Sequence, residues 1–304
     1  MFLNPYRLIG TVKQLVNLIK QYDDAFTEMR KVSEESVLSL REFQEQSFQT
    51  ANEIGASALT LQQSVANWLR LGETFSEAKK SAEASTILMN VSEFTSIDAA
   101  TESLVAMSQA FKDLDKMTII DKLNNIGNNF SISTSDLASS LQKSAGTLKI
   151  AGNNLDELIA LTTAGNSILQ DPESVGTGLK MIALRLTGTK EAKDELEELG
   201  EEDLSTVPKT KSKLRATILR ATQVASNNYQ GFDILNDNGN YRSTYEIMQG
   251  IADIYKEIEQ ADARYGTNNK NLLLETVAGK MRSSVAAAIF SNPDMLRDVY
   301  EQSQ

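Results

Sequence analysis

The chain contains no cysteine and no histidine. The first absence excludes a disulfide framework, a thiol nucleophile and a zinc–cysteine site, and it suits a reducing compartment. The second removes the commonest general acid–base group and the commonest metal ligand. An enzyme made from this sequence would have to work with Asp, Glu, Lys, Ser or Tyr. Proline is scarce (Pro5, Pro172, Pro208 and Pro293), and aromatics make up only 6% of the residues. Ala, Leu, Ser, Glu, Asn and Lys dominate instead, which favours helices joined by short polar turns. No apolar run approaches the length needed to cross a bilayer, so no membrane span is expected within this segment. The longest candidate, Val285–Phe290, reads as helix core. The opening MFLNPYRLIG lacks a positive leader, a long apolar run and a small-residue cleavage site, so it does not read as a secretory signal. Positive charge is also in deficit. Thirty Lys and Arg stand against 41 Asp and Glu, a formal charge of −11. That balance lacks the basic footprint of a nucleic-acid binder, so no sequence-specific nucleic-acid partner is expected. It favours solubility and repulsion between copies.

What is present is helical periodicity with well-marked ends. Length alone allows one large or two ordinary domains in 304 residues. The first helix runs from about Pro5 to Val32. Leu8, Val12, Leu15, Ile19, Tyr22, Phe26 and Met29 step by four and three alternately, a heptad seam over about three heptads. Ile9 and Val16 widen the stripe, so a coiled coil and an amphipathic helix on a globular core stay equally open. A more polar helix follows to Ile54, with Val37, Leu40, Phe43 and Phe48 facing inward, and Gly55 breaks it. The shift in composition divides the chain into an N-terminal long-helix segment, 1–56, and a helical domain, 57–304.

Start signals recur through the second part. Thr60 with Gln63, Thr74 with Glu77, Asn154 with Glu157 and Ser243 with Glu246 have the spacing of a capping box, and Thr95 with Asp98 and Ser133 with Asp136 are similar. Asp171 caps a helix with Pro172 in its first turn, where a missing N–H costs nothing. Trp68 is expected in the core. Asp262–Asn271 reads as a polar loop, Leu272–Phe290 as a helix open to a break at Gly279, and Asn292 as the start of a last helix still running at Gln304. Between Ile234 and Tyr241 the Asn238-Gly239 pair signals a tight turn, hence a small β-hairpin near 232–242. The expected fold is all-α: an orthogonal or irregular multi-helix bundle with a long N-terminal helix and that one hairpin.

Motifs for chemistry fail on inspection. Gly176-Thr177-Gly178 lacks a third glycine and a preceding strand, so it is not a dinucleotide loop, and the glycines predict close helix–helix approach. Asn236–Gly239 hints at a calcium loop, but aligning its glycine puts Ile234 and Tyr245 in ligand positions. The acidic run KEAKDELEELGEED at 190–203 reads as a solvated helix, and the basic run at 208–223 as its charge partner in this or a neighbouring copy. No catalytic, cofactor-binding or metal-binding residue is assigned, and no cofactor.

An ordered set of segments nonetheless resembles one family. These are ANWLRLG at 66–72, DKLNNIGNNFSISTSDLASSLQKSAGTL at 121–148 and AGNNLDELIALTTAGNSILQDPESVGTGLKMIALRLTG at 151–188, then NDNGNYRSTYEIMQGIADIY and LLLETVAGKMRSSVAAAIFSN. From about Ala25 to Asn292 the chain is similar to the N-terminal-side helical region of phage tail tape-measure proteins. The resemblance implies a virion tail protein of a phage or prophage, present in the host cytoplasm during assembly. It implies self-association into a multi-copy helical assembly and contact with tail-tube and tail-assembly chaperone proteins. It implies tail-length determination and a role in DNA ejection, without enzymatic activity. The long coiled-coil tract, apolar segments and lytic domain of such proteins are not among these 304 residues. The alternatives are a non-viral helical scaffold or binding module, and a carboxylate-based wall hydrolase, which would need two facing acids in a cleft.

Overall fold

The computed structural model describes residues 5–188, 190–198, 200, 210–226 and 228–304, and for 5–11, 190 and 191 the backbone only. Among the described residues the chain is all-α, and it divides into two compact units, Met1–Leu104 and Val105–Gln304.

Unit 1 holds α1 (Pro5–Val32), α2 (Val37–Glu53), α3 (Ala58–Arg70), α4 (Phe75–Asn90) and the first half of α5 (Ile97–Ala110). Its centre is α3, which packs against α1, α2 and α4. Leu61, Val65, Trp68 and Leu69 step along its buried face. Trp68 is 1% exposed, and its indole N–H donates to Ser85 Oγ at 2.9 Å, which satisfies its one polar atom. The buried core of the unit also takes in Met29 of α1, Leu40 and Phe43 of α2, and Ala78, Ala82 and Leu88 of α4.

The start signals hold with two shifts. Thr74 and Glu77 close a full capping box on α4. The cap of α3 is Ser57, whose hydroxyl accepts from Thr60 N–H, so Thr60 lies inside the helix. In the same way Ser96, one residue after Thr95, accepts from Asp98 N–H at the start of α5. Val37 and Phe48 are exposed, although Phe48 stacks on Tyr22 at 5.5 Å.

Unit 2 continues with α6 (Lys116–Asn129), α7 (Thr134–Ile150), α8 (Leu155–Leu169), α9 (Pro172–Thr187) and α10 (Lys190–Glu198). It closes with α11 (Lys211–Thr222), α12 (Thr244–Ala252), α13 (Tyr255–Tyr265), α14 (Asn269–Phe290) and α15 (Pro293–Ser303). Its axis is α8, where every residue from Glu157 to Asn166 is buried. A helix apolar on nearly all sides has to be surrounded, and α7, α9, α12, α14 and α15 surround it. The expected glycine packing is present. A Cβ added at Gly176 would stand 2.5 Å from Ser140 O of α7, and one at Gly178 would stand 2.7 Å from Val285 Cγ2 of α14. Each glycine admits a neighbouring helix to a distance that no side chain allows.

After Ser243 the chain forms two helices rather than one, with a break at Asp253–Ile254 between α12 and α13. Two further local readings change. The polar loop after Asp262 is short, since α13 runs on to Tyr265 and Gly266 ends it in the left-handed region. The hairpin reduces to one antiparallel bridge, Leu235 with Tyr241, closed by Arg242 N–H donating to Ile234 O; no strand forms among the described residues. α14 is broken at Gly279.

Candidate functional site

In unit 1 the seam of α1 has two fates. Its C-terminal part is covered: Ala25 is 5% exposed and Met29 fully buried against α3. Its N-terminal part is bare. Val12, Leu15, Val16, Leu18 and Ile19 are between 44% and 68% exposed. Leu8 lies among the residues whose side chains are outside the described set. The uncovered stretch follows from the fold: α2 and α3 are 17 and 13 residues long against the 28 of α1. An isolated helical stretch of that kind gains little from propensity alone and depends on burying its apolar face. Where the covered part meets α3, Glu28 joins Arg70 and Lys31. Hydrogen bonds from Lys31 and Arg70 hold its carboxyl below the usual range.

In unit 2 the polar chemistry converges where α8 and α12 begin. Asn154 and Glu157 form a capping box on α8: Glu157 N–H donates to Asn154 Oδ1 at 2.8 Å, and Asn154 N–H donates to Glu157 Oε2 at 2.8 Å. Ser243 and Glu246 do the same for α12. The two boxes interlock, because the Ser243 hydroxyl also donates to Glu157 Oε1 at 2.9 Å. Asn153 adds a second tie. Its Oδ1 accepts from Tyr245 N–H at 2.9 Å and its Nδ2 donates to Leu148 O at 2.8 Å, so the end of α7 and the start of α12 share one side chain. Glu157 is 8% exposed, and burial raises its pKa against the opposing pull of its hydrogen bonds to Asn154 and Ser243. Two carboxylates thus flank Ser243, but both are engaged in holding helix ends. The spacing of each box was legible in sequence. Asn153 was missed, and its only signal was its place beside the cap Asn154.

Close by, Tyr241 stands between two clefts. One, of about 190 Å³, includes Ile150, Lys211 and Arg242 in its wall; the other, of about 510 Å³, includes Arg215, Leu219 and Leu235. Lys211 Nζ lies 4.2 Å from the centre of the Tyr241 ring, a cation–π contact. Arg215 clamps Asp233 with two hydrogen bonds, which hold that carboxyl below its ordinary value. The basic helix α11 therefore finds an acidic partner in the 232–242 turn, and α10 pairs Glu195 with Lys180 of α9. The rest of the acidic run, 199 and 201–203, lies outside the described residues. Among the described residues no three metal-ligating side chains gather, and no helix is long and apolar enough to cross a membrane.

No solved structure matches the chain. A family model described as phage-related minor tail protein matches residues 44–273, well over half of the sequence, including all of α3 to α13. The match supports a tail protein and is broader than the tape-measure resemblance. On that match the chain belongs to the phage-related minor tail protein family.

Proposed function

We propose that this protein acts as a tape measure within the phage tail. In this reading it is a non-enzymatic structural protein that self-associates through helices in the tail tube, fixes tail length during assembly and leaves ahead of the DNA at ejection. Segment 1–56 is the self-associating part and 57–304 the helical domain. Tail-tube and chaperone proteins are its partners, and it passes through the host cytoplasm before joining the virion. The observation that carries the reading is the bare apolar half of α1, with Val12, Leu15 and Ile19 on the heptad seam, Val16 and Leu18 beside it, and all five exposed. These side chains are about half exposed, so burying the rest of each contributes about 0.8–1.5 kcal/mol. Five of them together reach the lower end of the roughly 4–15 kcal/mol that association costs.

The test is tail length in phage carrying in-frame deletions within the helical coding sequence of the gene. A helix rises about 1.5 Å per residue, so removing 100 residues of a straight helical ruler shortens the tail by about 150 Å. Tails of unchanged length would remove the ruler role and leave a structural tail protein of another kind.

A further inference from the structure

α14 is bent at a residue where the local sequence permits a straight helix. Gly279 has φ 72° and ψ 171°, a conformation essentially closed to residues with a Cβ. Yet the segments on either side contain no proline and include three Leu, four Ala and two Lys. A glycine weakens a helix but adopts the helical conformation freely. The bend is therefore held from outside, and the holder is α9. A break at Gly279 takes carbonyls of the preceding turn out of the helical hydrogen-bond ladder. Two of these accept from Arg185: Nη2 donates to Glu275 O at 2.7 Å, and Nε donates to Thr276 O at 3.3 Å. Arg185 is fully buried. Two turns earlier on α9, Gly178 receives Val285 from the far side of the bend. One helix thus grips both halves of α14.

The residues of α14 also carry a second pattern. Leu274, Ala278, Met281, Val285 and Ala288 are spaced four, three, four and three, the heptad step of one continuous helix. In the bent form Leu274, Ala278, Val285 and Ala288 are buried, whereas Met281 is 57% exposed. Returning Gly279 to helical angles brings Met281 into line between Ala278 and Val285. We infer that α14 is a two-state element: Gly279 is its hinge, Arg185 is the latch of the bent state, and release of the latch yields a single straight helix with an unbroken apolar seam. The inference rests on the geometry of unit 2 and stands whether or not the tape-measure reading holds.

The chain has no cysteine, so a spin-label pair can be placed through Asn271→Cys and Ser284→Cys, both exposed and on opposite sides of the hinge. In a straight helix their Cα atoms lie about 20 Å apart. Double electron–electron resonance is measured in this background, in Gly279→Ala and in Arg185→Met. The expected result is a shift of both variants from the parent distribution toward the straight-helix separation. Distributions identical to the parent in both folded variants would overturn the inference. Should either variant fail to fold, Arg185→Lys decides, because a single ammonium nitrogen cannot reproduce the rigid planar fork whose two nitrogens hold Glu275 O and Thr276 O. Hydrogen exchange at 280–282 should then slow at least tenfold relative to the rest of α14, because a straight helix restores the amide bonds that the break removes, and exchange unchanged from the parent would equally overturn the proposal.

Discussion

Glu157 is asked to do two opposed things. Its carboxylate accepts hydrogen bonds from Asn154 N–H and Ser243 Oγ, which favour the charged form, and its burial disfavours that form more strongly. The folded-state pKa is therefore above the ordinary carboxylate value. A group raised in this way binds its proton more tightly in the folded state than in the unfolded one. Its contribution is complete below the unfolded pKa and is lost as pH rises through the folded pKa. Glu157→Gln keeps an acceptor for the cap but cannot ionise. The variant should therefore lose less stability than the parent between pH 4 and pH 7. Urea midpoints at the two pH values check this, and equal pH dependence in parent and variant would count against it. Trp68 illustrates the simpler case, a large side chain whose one polar atom finds Ser85 and whose burial followed from its place on the apolar face of α3.

At the scale of elements, α1 is the helix whose surface is least accounted for. Leu15→Glu with Ile19→Glu places charge on the bare seam without touching Ala25 or Met29. Losing two half-exposed apolar contacts of about 0.8–1.5 kcal/mol each should weaken self-association by about 10- to 10²-fold. Sedimentation velocity should show the parent as an oligomer and the variant as a monomer with its remaining helices intact. The seam itself was legible in sequence; what covers it was not, because periodicity marks a face as apolar and says nothing about its neighbour. Helix starts were legible for the same local reason. Thr74/Glu77, Asn154/Glu157 and Ser243/Glu246 each close a box within four residues. Ser57 and Thr60 are two hydroxyls three residues apart, and burial of Ala58 and Leu61 decides between them by extending α3. Arg185 was hidden because it sits inside the apolar run MIALRL, and its partners lie about 90 residues away on carbonyls that only a bent α14 leaves open.

For the whole molecule, the two units differ in the size of their cores, and smaller cores bury proportionally less surface. Trp68 is the only tryptophan and belongs to unit 1, whereas most of the helices belong to unit 2. Tryptophan emission should therefore report the unfolding of unit 1, and far-ultraviolet circular dichroism mainly that of unit 2. The expected outcome is a fluorescence midpoint at lower urea than the dichroism midpoint; coincident curves would indicate one cooperative transition through both units.

The interlock between α8 and α12 also has a timing. Glu157 and Ser243 are 86 residues apart in the chain. At about 5–20 residues per second of synthesis, the partner hydroxyl leaves the ribosome about 4–17 s after the carboxylate. During that interval α7 and α9 are available to pack on α8, but α12, α14 and α15 are not, so the apolar faces that those three cover are left open to solvent. A nascent chain paused between these two residues is thus the species most in need of a chaperone.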